Sequence, residues 1–347
     1  RSFMSVSLQI KLFLPRNKKN SSYKYEHLML YRRHLRIKVL QSLYSWYTGG
    51  TSDIIEGEKQ LLESIDKLHD LFLFQLSFLV EIKRFAEIRI EENKHKFYPK
   101  EEDLNPNTKF INNKVLIGIE NNNEFILNEN RLKVNWTDQS DMIMKFYNLV
   151  REKEFFKKYM ASEDNSIEAD KKVIIKIIDQ CLPDYDLLKA FYEEKSVYFT
   201  DGYDLVILLL IKFIENFNSK FSSESSLPGI YKPTLKGKNE DREFVRVLYK
   251  TVLRNDSDID EELKHRTKNW EFERIPVMDI ILLKMAIIEL QKMETVPVKV
   301  TLNEYIELAK YFSTNNSKVF VNGVLDRLIK EYNQEGRINK SGRGLQN

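Results

Sequence analysis

From Leu61 to Phe85 an apolar residue recurs every three or four positions, through Leu62, Ile65, Leu68, Leu71, Phe72, Leu76, Leu79 and Ile82, with no glycine or proline to interrupt it. This spacing keeps one stripe of a helix apolar turn after turn and predicts a single long helix over residues 57–95. Elsewhere too the chain has little punctuation: 11 Gly and 8 Pro in 347 residues. Turn-rich β architectures need more of both. The expected fold class is therefore all-α. With 42% hydrophobic and 31% charged residues the chain can fill a core, and its length allows two or three domains.

A second run, residues 280–288, is apolar nearly all round, which predicts a helix at the centre of a bundle. Pro276 fits its first turn, and Asp279 suits the positive end of its dipole. Val296-Pro297-Val298 breaks the chain, and a helix follows over 301–312. After the polar turn 313–317 comes a last helix with the core stripe Val321, Val324, Leu325, Leu328 and Tyr332. Phe320 lies off that stripe, either as a stacking platform or as a contact to another helix. Further helices are expected over 138–160, 167–181, 187–195, 203–217, 240–253 and 258–265. The Asn-rich, Pro-broken stretch 98–136 reads mostly as loop; the short apolar runs 114–119 and 124–127 fit brief strands or helical turns. Ser222 to Gly229 reads as a linker that continues to Gly237. No internal repeat is visible.

The net charge of +3 is unevenly spread. Residues 1–50 hold ten Lys/Arg against one Glu, and residues 327–347 hold five against two, around an acidic middle. Two basic ends suggest a polyanion-binding surface. Cys181 is the single cysteine, so no intrachain disulfide can form; Ile177, Ile178 and Leu182 around it suggest a buried thiol. The five histidines show no paired ligand spacing, so no metal site is expected. The apolar runs 205–211 and 280–288 fall short of the roughly 20 residues that span a bilayer. No secretory signal is evident, and a cytoplasmic protein is expected. Residues 1–28 read as a basic, poorly structured leader, with Met29 a possible start of a shorter product.

Residues 31–46 read as one amphipathic helix. Leu35, Val39, Leu43 and Trp46 fall on one side, and Arg33, Arg36 and Tyr44 close together on the other. Arginines clamp phosphates with a bidentate fork and tyrosine stacks on bases, so this face suits single-stranded nucleic acid. A solvated basic face would look the same.

Arg274-Ile275, Asp279, Glu289-Leu290, Val296-Pro297, the block Asn303-Glu304-Tyr305-Ile306-Glu307-Leu308-Ala309-Lys310 and the block Phe320-Val321-Asn322-Gly323-Val324-Leu325-Asp326 together resemble the NusB family of transcription antitermination factors. Arg32-Arg33 through Tyr44-Ser45-Trp46 resembles the arginine-rich first helix of that family. The resemblance covers about 29–47 and 240–332; the whole looks like the long form found in Bacteroidetes-type bacteria, with a large helical insert. It implies a helical bundle built from 29–50 and 236–334, an inserted helical subdomain over 51–235, and a basic flexible tail over 335–347.

It also implies a non-enzymatic, RNA-binding factor without a cofactor. Such a factor pairs with NusE, a small-subunit ribosomal protein. It binds boxA-like single-stranded RNA in nascent rRNA transcripts, within an elongation complex of RNA polymerase and other Nus factors. Carried onto this chain, the RNA contacts are Arg32, Arg33, Arg36 and Tyr44 on the first helix, with Asn316 and Phe320 at the start of the last. Asp279 corresponds to an acidic position facing NusE. The family commonly has Glu-Asp where Asn315-Asn316 stands, a change that should favour RNA by removing repulsion of phosphate.

Two alternatives belong to other classes. One is a helical protein–protein scaffold without RNA binding. The other is a relative of the NusB-like domain of rRNA methyltransferases. The single cysteine and the lack of a Gly-rich phosphate loop count against the second.

Overall fold

The computed structural model describes residues 32–49, 52–231, 239–266 and 272–341. Among these residues there are fifteen α-helices, two 3-10 turns and no strand. The expected leader, 1–28, and most of the presumed linker beyond Tyr231 lie outside the described residues. The helices gather into two compact units, Asp66–Ile230 and Met29–Ile65 with Tyr231–Asn347. The insert expected from sequence, 51–235, is wider than the first unit at both ends. Among the described residues no helix is long and apolar enough to cross a membrane.

Helix α2 (Ile54–Lys94) is the long helix the spacing predicts, at 41 residues. From Asp66 onward it belongs to the unit Asp66–Ile230. That unit adds α3 (Glu101–Leu104), α4 (Lys114–Glu120), α5 (Asn123–Leu132), α6 (Ser140–Glu152), α7 (Glu154–Ala161), α8 (Ile167–Gln180), α9 (Asp186–Lys195) and α10 (Val197–Asn216). Its core is rich in aromatics. Phe78 packs edge-on against Phe146, and Phe74 against Tyr192 and Phe199. Trp136 donates from Nε1 to the buried Ser77 Oγ at 2.9 Å, which satisfies its one polar atom. At Gly202 a Cβ would stand 2.4 Å from Leu68 Cδ2, so the missing side chain lets α10 lie close against α2.

The Asn-rich stretch is not mostly loop, and its two apolar runs are helices, α4 and α5. The asparagines begin those helices instead of breaking them. Asn113 Oδ1 accepts from the N–H groups of Val115 and Leu116, and Asn122 Oδ1 from that of Phe125. Both side chains are completely buried. The serine-rich linker is corrected as well. Asn122 Nδ2 lies 2.7–3.2 Å from the carbonyls of Ser222, Ser223 and Ser225, and Leu227 is buried. This segment is pinned to its own unit. Asn122→Ala removes a helix cap and the donor shared by three backbone carbonyls, so we expect a loss of about 1–3 kcal/mol of stability. Urea unfolding followed by circular dichroism measures it.

The second unit holds α1 (Arg32–Tyr47), α11 (Glu240–Arg254), α12 (Asp256–Arg266), α13 (Val277–Lys292), α14 (Val298–Phe312) and α15 (Ser317–Gln334). α13 packs against α1, α11, α14 and α15, and every residue from Ile281 to Leu290 is buried, as its apolar sequence predicts. Its one interior cation, Lys284, reaches Asp260 Oδ1 at 2.8 Å and Asp256 on α12, and sits over the Tyr47 ring. Just past the end of α15, Gly336 has a φ of +66°, which suits a residue without Cβ. Lys340 beyond it donates from Nζ to the carbonyls of Glu289 and Met293, both at 2.9 Å. The described part of the expected flexible tail is thus fastened over the C-terminal end of α13.

Candidate nucleic-acid interface

α1 lies against α11 and α13, so it is buried on more than one side. Leu35, Val39 and Leu43 are fully buried as expected, whereas Trp46 is only half-buried. His34, Arg36 and Lys38 are buried too. The two unlike faces read from sequence are therefore not two environments.

Arg36 is the main correction. It is 2% exposed and does not belong to an open basic face. Its Nε and Nη2 each donate to the Glu289 carboxylate at 2.7 Å. Glu289 is completely buried on α13 and also accepts from Thr301 Oγ1 at 2.8 Å and Tyr305 Oη at 3.0 Å. Burial opposes the guanidinium charge, but the attraction and hydrogen bonds of Glu289 outweigh it, so the Arg36 pKa is raised above that of a free arginine. Arg36 on α1, Glu289 on α13 and Thr301, Tyr305 and Glu304 on α14 thus form a clasp between three helices.

Arg33, nearly one turn earlier, is half-buried. It makes a bidentate pair with Glu304 on α14, at 2.7 Å from Nε and 2.6 Å from Nη2. The hydrogen bonds it donates to Glu304 raise its pKa, and the charge of Glu307 adds to the pull. Arg32 stands 3.6 Å from Asp241 with its guanidinium over the Phe244 ring. Tyr44 is half-buried.

At the other end of the expected interface, Asn316 is exposed on the turn before α15, and Phe320 is half-buried one turn on. Between α14 and α15 runs a groove of about 460 Å³, lined by Asn303, Ile306 and Glu307 on one side and Lys318, Val319 and Asn322 on the other. Glu307 both lines this groove and acts on Arg33. Arg33 is held to the same helix, α14, through Glu304, one turn before Glu307. Asn303, Ile306, Glu307 and Asn322 fall inside the family-like blocks 303–310 and 320–326, whereas Lys318 and Val319 lie outside them; amides and charges at four-residue spacing around Ile306 and Val319 are the available signal.

Asp279 is not at the surface. It is 2% exposed, and its Oδ2 accepts from Ser317 Oγ at 2.7 Å. Cys181 is buried, and burial pushes its thiol up to about 11, which makes it inert at neutral pH.

The NusB family model matches residues 205–330. The transcription antitermination protein NusB of Salinibacter ruber (strain DSM 13855 / M31) is 40% identical over 123 residues, 35% of this chain and 77% of that protein. The chain belongs to the NusB family. The NusB proteins of Chloroherpeton thalassium (strain ATCC 35110 / GB-78) and Clostridium botulinum (strain Kyoto / Type A2) are 40% and 39% identical, over 104 and 92 residues. Those stretches cover 30% and 26% of this chain, and 49% and 64% of the two relatives. No solved structure matches the chain. The family is a non-enzymatic one. The matched region starts inside α10, among residues that pack with Asp66–Ile230, and leaves α1 with its arginines outside. A long N-terminal extension precedes it.

Proposed function

We propose that this chain is an RNA-binding transcription antitermination factor that pairs with NusE and binds boxA-like single-stranded RNA in nascent rRNA transcripts, as part of an elongation complex. The observation that supports the reading is that Arg33 is held to α14 by Glu304, and that Asn303 and Glu307 of the same helix line a groove against the start of α15, where Asn316 and Phe320 stand. A strand laid along it meets amides and a lysine, then an aromatic ring, and reaches the Arg33 guanidinium by competing with Glu304 for it. Arg32, Arg33, Tyr44, Asn316 and Phe320 remain as proposed contacts, with Asn303, Lys318 and Asn322 added from the groove. Arg36 supports this surface from below and meets no phosphate. The Asp66–Ile230 unit is proposed as the long form's inserted subdomain, contributing no catalytic group.

The test is a titration with boxA-like RNA, with and without NusE, at several salt concentrations. Arg33→Ala should weaken binding and reduce the log–log salt slope by about 0.7, one phosphate contact on a single strand. An unchanged slope in a folded variant removes Arg33 from the interface. Binding that ignores salt altogether would favour a protein-only scaffold.

A further inference from the structure

Asp279 lies in the first turn of α13, two helices away in sequence from the turn that carries Asn316 and Phe320. The fold nevertheless joins them through one hydroxyl. Ser317, the first residue of α15, is completely buried, and its Oγ donates to Asp279 Oδ2 at 2.7 Å. The same Oγ lies 2.8 Å from Thr314 Oγ1 and 3.0 Å from Ser313 Oγ, and it accepts the Thr314 N–H at 3.1 Å. The whole turn from Ser313 to Ser317 closes around this oxygen. Asn316 is carried on the turn, and its carbonyl accepts the Phe320 N–H at 3.1 Å.

The carboxylate itself sits at the starts of two helices, α13 and α15. Both offer positive dipole ends, which favour a negative charge there. Its second oxygen, Oδ1, is buried without a hydrogen-bond partner among the described residues. At 2% exposure the group offers a docking protein almost no surface.

We propose that Asp279 is a positioning residue for Asn316 and Phe320, acting through Ser317, and not a contact to the protein partner. This rests on the RNA-binding reading above. The Asp279–Ser317 bond holds the turn in the one arrangement that presents the amide and the ring together. Breaking it frees the turn while leaving both side chains present. Because only the acceptor oxygen is needed, an asparagine at 279 can do the same work.

The experiment uses the full chain and four variants: Asp279→Ala, Ser317→Ala, the two combined, and Asp279→Asn. Each is titrated with fluorescently labelled boxA-like RNA below its melting temperature. Hydrogen exchange is followed at the amides of residues 314–320. Asp279→Ala and Ser317→Ala should each weaken RNA binding roughly five-fold or more, the scale of one lost hydrogen bond, and should speed exchange in the turn. The double variant should be no worse than Ser317→Ala alone, since that variant has already lost the Asp279 bond along with the other contacts of the hydroxyl. Asp279→Asn should keep both affinity and slow exchange.

Unchanged exchange at 314–320 in Asp279→Ala overturns the proposal whatever the RNA result. RNA affinity untouched by Asp279→Ala but reduced by Arg33→Ala overturns it and leaves the RNA reading standing. Additive losses in the double variant overturn it too, since the two residues would then act separately. If the parent chain binds no boxA-like RNA, the functional reading and this proposal fall together. Weaker NusE binding by Asp279→Asn with RNA binding intact would return the residue to the protein interface.

Discussion

Glu289→Ala is expected to cost about 3–5 kcal/mol of folding stability, the scale of breaking a buried ion pair from one side. The substitution leaves the Arg36 guanidinium, 2% exposed, with its nearest remaining carboxylate at Glu304, 3.8 Å from Nη1. It also strips the acceptor from Thr301 and Tyr305, two hydroxyls that donate to the same carboxylate. Such orphaned buried groups pay their full desolvation cost. Arg36→Ala removes the cation instead and should be of similar severity, because Glu289 is then a buried anion held by two hydroxyls. Replacing both partners, Arg36→Met with Glu289→Leu, should be milder than either single change. Urea unfolding of the three variants checks the order. A double variant worse than both singles would mean the clasp contributes net stability beyond avoiding an unpaired charge.

Phe320→Ala is expected to weaken binding of boxA-like RNA by about 1–3 kcal/mol, a loss typical of a base deprived of its aromatic platform. Phe320 is half-buried, and the core stripe of α15 runs through Val321, Leu325, Leu328 and Tyr332, all completely buried. The stripe survives the substitution, so the melting temperature should move little. Fluorescence anisotropy for affinity and a thermal melt for stability separate the two roles left open by the sequence. A large drop in melting temperature with affinity intact would place the ring among the packing contacts. Phe320→Tyr keeps a stacking face and should restore most of the affinity.

Where one pattern dominates, the sequence is readable. The helix Ile54–Lys94 and the buried α13 follow from apolar spacing alone, because nothing competes with it over such lengths. Arg36 was misplaced because a helical wheel knows the angle of a side chain but not what lies opposite. The clue was Glu289, a lone acid in an otherwise apolar helix end, which must find a cation or a donor once buried. The Asn-rich stretch 98–136 reads as loop because the side chains that favour turns, here Asn113 and Asn122, also open helices, and only the partners decide. The serine-rich segment looked like a tether because its own residues carry no apolar period. The groups that hold it belong to Asn122, about a hundred positions away. Asp279 fitted a helix start correctly, yet nothing local says that a second helix begins on top of it.

The clasp between Arg36 and Glu289 joins residues 253 positions apart in the chain. During synthesis at about 5–20 residues per second, the first helix leaves the ribosome on the order of ten to fifty seconds before its partner exists. For that interval its leucines have no core and its arginines have no acids. The closing of the family bundle is thus timed by the arrival of α13, after everything between has been translated. A nascent chain stopped before residue 277 carries a basic, apolar helix that nothing has yet claimed, and limited proteolysis of ribosome-held chains of increasing length should show α1 becoming protected only once α13 has emerged.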